Sequence, residues 1–316
     1  MRIRRARYSD KNKILKFCKD TFAWGDYIET VFDIWLTNPC GILLVVDYPS
    51  LITMNYEPVA ISHISICPNG LLWIEGIRVD KDYRNKGIAT HLLQHMIKYG
   101  IEKGLGESCA LISHHNTNSK RIFEKQGFSK TCIYDYYNLK IKKQMKHEDV
   151  SLNLKYASLD DIRIISGYLD NSQVYLETNG RYFHEWRLYK LKNTFECIYD
   201  LIDKKKLVLI VDRDGKIFGL SIINITMDGK DDDDDDSSYN KTILQICYLD
   251  CANNYIYSRS VFLILNTLFD HNKNSNVQLF VNESFDFSNL FVNNAGYYDV
   301  DTFERFIVYC KSLNQN

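Results

Sequence analysis

The chain has 316 residues, a length that suggests two domains, each able to bury a real core. Its formal net charge of −1, from 39 basic and 40 acidic residues, gives no global field to draw nucleic acid or an anionic membrane. The basic start, MRIRRARYSDKNK, is followed by no apolar signal segment, and no apolar stretch is long enough to cross a bilayer. The nine cysteines are scattered, odd in number and without Cys-x-x-Cys pairs; nothing near Cys247 and Cys251 completes a zinc site. That pattern predicts reduced thiols, no metal and a cytoplasmic protein.

Ile3 to Arg7 reads as a short strand, after which Ser9 or Asp10 can cap a helix through Cys18. The aromatic stretch of residues 21–36, TFAWGDYIETVFDIWL, is broken by Gly25 and Asp26 into a loop and a helix from about Tyr27, with Phe32 and Trp35 on its core face. Residues 41–47 and 58–67 read as a strand pair. Leu71 to Val79 is the next strand. Alternation places Trp73, Glu75, Ile77 and Val79 on one face and Leu72, Ile74 and Arg78 on the other. A charged turn, Asp80 to Lys86, leads into Gly87-Ile88-Ala89 and a helix whose buried stripe is Ile88, Leu92, Leu93, Met96 and Ile97. His91 and His95 stand four apart on that helix, but the zincin pattern needs Glu where Leu92 stands, so they read as its solvent face.

The turn carries chemistry. N–H groups in the first turn of a helix lack partners, and the dipole there is positive. Gly87 has no Cβ and Ala89 only a methyl, so an anion can approach closely, and Arg84 and Lys86 add positive charge. The predicted ligand is a phosphate or pyrophosphate; the plainer reading is a glycine that starts a helix for packing.

Arg84-Asn85-Lys86-Gly87-Ile88-Ala89 resembles the Arg/Gln-x-x-Gly-x-Gly/Ala signature of the GNAT acyltransferases, with Val79 five residues ahead. A second signature follows: Asn116-x-x-Ser119-x-x-Ile122-Phe123-Glu124-Lys125-Gln126-Gly127-Phe128 is similar to the family's Asn-x-x-Ala-x-x-Leu-Tyr-x-x-x-Gly-Phe. The resemblance covers about residues 1–140 and implies an α/β fold with a twisted mixed sheet flanked by helices. It implies acetyl-CoA as cosubstrate: pyrophosphate on Arg84, Asn85, Lys86, Gly87, Ile88 and Ala89, and the pantetheine arm along Ile77, Arg78 and Val79. Gly76 is the place for the bulge that frees that backbone. Asn116, Ser119 and Phe123 are implied contacts to the arm, with capping of a helix as the other role for Asn116. Trp24, Asp26 and Tyr27 would shape the acceptor pocket. Their WGDYI…WL stretch is weakly similar to histidine N-acetyltransferase-like proteins.

Direct transfer requires the acceptor amine to lose a proton and the developing oxyanion to meet a donor, for which a free N–H near Val79 could serve. Glu75, a carboxylate in an otherwise apolar strand, is the expected base, with His114 and His115 behind it. Where the family often has an acidic Tyr this chain has Phe123, so a tyrosine among Tyr134, Tyr136 and Tyr137, Tyr134 foremost, would have to substitute, or thiolate leaves without a residue acid.

A charged stretch at residues 138–149 precedes a restart of the pattern, placing a catalytic GNAT domain at 1–146 and a degenerate one at 150–316. Leu152–Tyr156 reads as a strand, Ser158 to Asp161 caps a helix, and residues 207–211 and 217–225 form a hairpin at Asp214-Gly215. The acidic run at 228–238 reads as a solvated loop. Asp250 stands to its strand as Asp80 does to its own, and Gly296-Tyr297 echoes Gly127-Phe128, so the chain reads as an internal duplication. Tyr257 and Arg259 replace Gly87 and Ala89, and the second half is expected to bind no coenzyme A. The expected function is transfer of an acetyl group to a small primary amine or amino acid, with a protein amine or a coenzyme-A-binding regulator as alternatives. No nucleic acid or membrane partner is expected.

Overall fold

In a computed structural model, residues 1–19, 21–22, 25–50, 55–142, 152–227, 242–253, 256, 260, 261, 264, 265, 267–269, 274–285 and 298–314 are described. Their contacts divide into two units: Met1–Thr131 with Ile307–Asn316, and Cys132–Phe306.

In the first unit β1 (Arg2–Arg5) pairs antiparallel with β2 (Gly41–Pro49), β2 with β3 (Tyr56–Ile66), and β3 with β4 (Leu71–Val79); β4 pairs parallel with β5 (Glu107–Ser113). Helices α1 (Lys11–Cys18) and α2 (Ile28–Thr37) bury Ile14, Cys18, Ile28, Phe32 and Trp35 against Leu43, Val45 and Ile61. Helix α3 (Ile88–Glu102) buries the stripe its spacing predicts, with Gly100 close to Leu72 of β4. Helix α4 (Thr117–Lys125) ends on left-handed Gly127, where the N–H groups of Gly127 and Phe128 donate to the carbonyls of Glu124 and Phe123.

The β3–β4 register corrects one expectation. His63 lies opposite Glu75 and Ile61 opposite Arg78, so Ser62 faces both Gly76 and Ile77. The extra residue is a β-bulge at left-handed Gly76, φ +67°. One inserted residue inverts the alternation beyond it. Arg78 therefore shares the face of Glu75, not that of Leu72 and Ile74.

In the second unit the order is β7 (Asn153–Tyr156), β10 (Leu207–Val211), β11 (Ile217–Met227), β12 (Thr242–Cys251), β13 (Asn274–Asn282) and β6 (Ser129–Ile141). The first five repeat the order and directions of β1 to β5, including the parallel pair, here β12 with β13. Between β7 and β10 lie α5 (Ile162–Asp170), α6 (Gln173–Thr178), a hairpin of β8 (Arg181–His184) and β9 (Arg187–Lys190), and α7 (Phe195–Asp203). Of these the sequence pattern anticipates α5. The acidic run at 228–238, residues 257–259 and the segment at 291–297 lie outside the described residues.

The sixth strand is traded. β6 follows α4 in the chain yet pairs with β13 of the second unit from its Cys132 side onward. The end of β14 (Tyr298–Ser312) returns to the first unit beside β5. The boundary expected at residues 146–150 is thus not where the contacts divide, because strand membership at this position does not follow chain order. The same return corrects the expectation that every thiol stays reduced. Cys109 of β5 and Cys310 of β14 form a disulfide across 201 residues, and the other seven cysteines remain thiols.

Both units open on one device. Asp10 accepts from the Arg7 N–H at 2.7 Å and pairs with Arg4 of β1 at 2.7 Å. Asp161 accepts from the Ser158 N–H at 2.9 Å and pairs with Lys155 of β7 at 2.7 Å. Arg4 also bridges to Asp47 of β2. Burial alone would raise the Asp10 carboxyl; hydrogen bonds from Arg4 and Arg7 outweigh it and hold it below its ordinary 3.8. A depressed folded value means that this stability is present above the unfolded pKa and is lost as pH falls through the folded one. Arg4→Met leaves two buried carboxylates unpaired and is expected to cost about 3 kcal/mol at pH 7. Denaturant melts should show that gap closing below about pH 4.

Candidate active site

The turn after β4 is built for approach from solvent. Asp80 accepts from the Asp82 N–H, closing a short 3-10 turn over Lys81–Tyr83. Arg84, Asn85, Lys86 and Gly87 are all exposed, and Asn85 and Gly87 are left-handed at φ +61° and +75°. Gly87 caps α3, and a Cβ placed there would meet nothing closer than His91 Nδ1 at 3.5 Å. His91 instead bonds the Gly87 carbonyl at 3.0 Å, which leaves the N–H side of the turn to the first-turn amides. Arg84 Nε donates to the Val79 carbonyl, and the Lys86 ammonium lies 4.8 Å from the ring centroid of buried Tyr83. A dense positive rim around an open helix N-terminus fits a phosphate group.

Strands β4 and β5 begin together and part. Leu71, Leu72 and Trp73 pair with Glu107, Ser108 and Cys109, and the pairing ends there. Glu75, Ile77, Arg78 and Val79 lie beyond the last pair, in the part of β4 that keeps β3 on its other side. In that stretch His63 Nδ1 is 2.8 Å from Glu75 Oε1. The imidazole is fully buried and stacks on Trp35, centroids 4.7 Å apart and planes within 6°. Trp35 occupies the space a Gly76 side chain would need: a Cβ there would lie 2.6 Å from the indole. The bulge glycine, the tryptophan, the histidine and the glutamate are thus one packed group. The Glu75 side chain keeps 17% of its exposure.

Arg78, turned by the bulge, makes a two-pronged pair with Asp26: Nε to Oδ2 at 2.6 Å and Nη2 to Oδ1 at 3.1 Å. Asp26 also accepts from the Ile28 N–H at the start of α2. Phe22 and Tyr27 flank the guanidinium at 5.0 and 5.2 Å. Burial raises the Tyr27 phenol; Arg78 opposes this and the Glu75 charge adds to it. The expected acceptor-side residues Asp26 and Tyr27 therefore meet β4 beside Glu75. Trp24 lies outside the described residues.

The other expected residues lie on or beside β5, α4 and β6. Asn116 Oδ1 accepts from the Ser119 N–H at 3.0 Å, the cap of α4. Phe123 is buried edge-on against Phe128, centroids 4.9 Å apart. His114 and His115 are exposed neighbours at the end of β5. Tyr134 belongs to the second unit, where its hydroxyl donates to the Arg181 carbonyl at 2.8 Å and burial pushes its phenol well up. His63 is the residue that the pattern reading passed over. The available signal was a histidine in an apolar strand, PVAISHISIC, next to a strand with a glutamate at its centre.

The second unit holds an internal comparison. The β11–β12 register also slips by one residue, at Cys247, 170 positions after Ile77. The pair that matches His63 and Glu75 is Asn224 and Gln245, facing each other at 3.4 Å. Both positions stay polar and both lose the ability to titrate. Where Asp80 caps an exposed turn, Asp250 is buried and accepts from Tyr168, Ser172 and Tyr248, and burial raises its carboxyl.

Residues 12–128 match the family described as Acetyltransferase (GNAT) family. A 58-residue stretch, 18% of this chain, is 33% identical to a candidate phosphinothricin acetyltransferase of Bacillus subtilis and spans 36% of that relative's length. The structure is similar to that of a candidate acetyltransferase from Thermoplasma acidophilum, at 14% identity and TM-score 0.55, over 99% of this chain and 100% of that one. It is also similar to a GCN5-related N-acetyltransferase from Sphaerobacter thermophilus, at 14% identity and TM-score 0.58, over 100% and 96% of the two chains. At such identity the likeness is one of fold, and it extends over both units. Among the described residues no helix is long and apolar enough to cross a membrane.

Proposed function

We propose that the chain, whose residues 12–128 match the GNAT acetyltransferase family, moves an acetyl group from acetyl-CoA to a small primary amine by direct attack on the thioester. The observation that carries this reading is a conjunction. An open, positively rimmed helix N-terminus follows directly on a strand that has parted from its neighbour, and a carboxylate stands in the parted stretch.

In this reading the turn from Arg84 to Ala89 binds the pyrophosphate, and the backbone of Ile77 to Val79 aligns the arm. Asp26, Tyr27 and Phe22, gathered on Arg78, wall the acceptor side. Glu75 Oε2, the oxygen not bonded to His63, takes the ammonium's proton. The freed nitrogen forms the N–C bond as the C–S bond breaks, the thiolate leaves with the electron pair, and the second proton shed by the amide nitrogen passes through water to the thiolate. With Phe123 at the family's tyrosine position and Tyr134 committed to Arg181, no residue acid is assigned to the thiolate, which water can protonate. Asn224 and Gln245 support the reading of the second half as one without its own transfer site.

The test is thiol release from acetyl-CoA against a panel of free amino acids, polyamines and short peptides. Turnover with one class names the acceptor. Tight acetyl-CoA binding without turnover on any amine would leave a coenzyme-binding regulator, the reading that Phe123 favours. Gly87→Val adds a side chain at φ +75° over the open amides. By calorimetric titration on folded protein it should weaken coenzyme A binding by about tenfold or more, while the left-handed backbone costs roughly 1–3 kcal/mol of stability.

A further inference from the structure

We propose that His63 is a positioning residue for Glu75: its Nδ1–H donates to Oε1 and holds the carboxylate in the rotamer from which Oε2 takes the acceptor's proton. This rests on the proposed role of Glu75 and adds to it a residue that neither signature contains.

Four observations carry it. The first is the 2.8 Å contact between His63 Nδ1 and Glu75 Oε1. The second is the imidazole's surroundings. It is fully buried, stacked on Trp35, and its Nε2 has no hydrogen-bond partner among the described residues. Nε2 faces Gly41, where any side chain would run into it. A buried polar atom without a partner costs free energy, so a histidine kept only to fill this space would be a poor choice beside leucine. Its Nδ1 contact to Glu75 is the gain that sets it apart. The third is accessibility: of the pair, Glu75 is the member with exposed surface, so the histidine acts through the carboxylate. The fourth is the duplication. At the matching positions, in the unit that lacks a transfer site in this reading, the pair is Asn224 and Gln245, which keeps the hydrogen bond's polarity and drops the base.

The charged and titratable groups that face the pair are few. From the start of α2 come Asp26 and Tyr27, and from β4 comes Arg78, already paired with Asp26. None of them reaches Glu75 Oε1 in place of His63.

The experiment compares wild type, His63→Leu, His63→Asn, Glu75→Gln and the Leu/Gln double variant. It uses acetyl-CoA and the fastest amine of the panel, with full pH profiles. His63→Leu should lower kcat about 10- to 100-fold and leave the acetyl-CoA KM unchanged. His63→Asn places an amide N–H near the Nδ1 position and should restore most of kcat. The double variant should be no slower than Glu75→Gln. If His63→Leu does not fold, His63→Thr removes the donor with a smaller side chain suited to a strand and is read in the same way. Wild-type kcat in the donor-less variant, equal loss in Asn and Leu, or losses that multiply in the double variant would each overturn the proposal. Glu75→Gln at the wild-type rate would instead show that the base assignment itself has failed, and His63's role with it.

Discussion

Glu75→Gln should lower acetyl-transfer turnover by about 100- to 10,000-fold near neutral pH, the range that a positioned general base supplies. The acetyl-CoA KM should stay within a factor of two or so, because the turn that would hold the pyrophosphate lies beyond Val79 and does not touch Glu75. Gln is close to isosteric and can still accept from His63, so the strand and its packing should survive. The size of the defect should also depend on pH. At neutral pH the acceptor is mostly ammonium and needs a base. As pH approaches the amine's own pKa the free amine supplies itself, and wild type and variant should converge. A defect of constant size across the range would mean that Glu75 orients the acceptor instead of deprotonating it. The substitution also installs in the first unit the residue that the second carries at Gln245.

Gly76→Val should destabilise the first unit by about 3 to 5 kcal/mol. A β-branched residue at φ +67° is strained by roughly 1–3 kcal/mol. Its Cβ would enter the Trp35 ring, 2.6 Å from the nearest carbon, and overpacking of a filled core costs about 1–3 kcal/mol more. The ring cannot step aside without losing its stack on His63 and its place over the bulge. Chemical denaturation would measure the loss. A mild effect would show that Trp35 has room to move and that the group around Glu75 is less rigid than its packing implies. Because Gly76 holds the bulge that turns Arg78 toward Asp26, soluble variant protein should also lose acceptor binding more than coenzyme A binding.

The sequence made local matters legible and long-range ones illegible, and the divide falls where the physics changes. The stripe from Ile88 to Ile97 is a helical period, and Gly87 at the cap is a backbone requirement; both act within a few residues and both are as expected. The bulge at Gly76 was foreseen as a position, but its effect on Arg78 was not. Alternation was counted straight through it, and only the pairing with Ile61 and His63 reveals the slip. A motif names positions without naming neighbours: that Phe123 meets Phe128 edge-on, five residues on through the glycine turn, is visible only in the fold. His63 was missed since a single histidine in a strand has no period. It acquires meaning from its cross-strand partner, which register alone decides. The Cys109–Cys310 link spans 201 residues and could not be told from spacing.

That link and the traded strands bear on the history of the chain. After a duplication, each copy would ordinarily be free to decay or to be lost, since each would carry its own six strands. Here Ile307 onward completes the half that begins at Met1, while β6, encoded next to α4, completes the other. Deleting either copy would strip a strand from the survivor and leave a bare edge. The second half can therefore carry Asn224 and Gln245 in place of a titratable pair, yet selection on the first half's sheet keeps it in the gene.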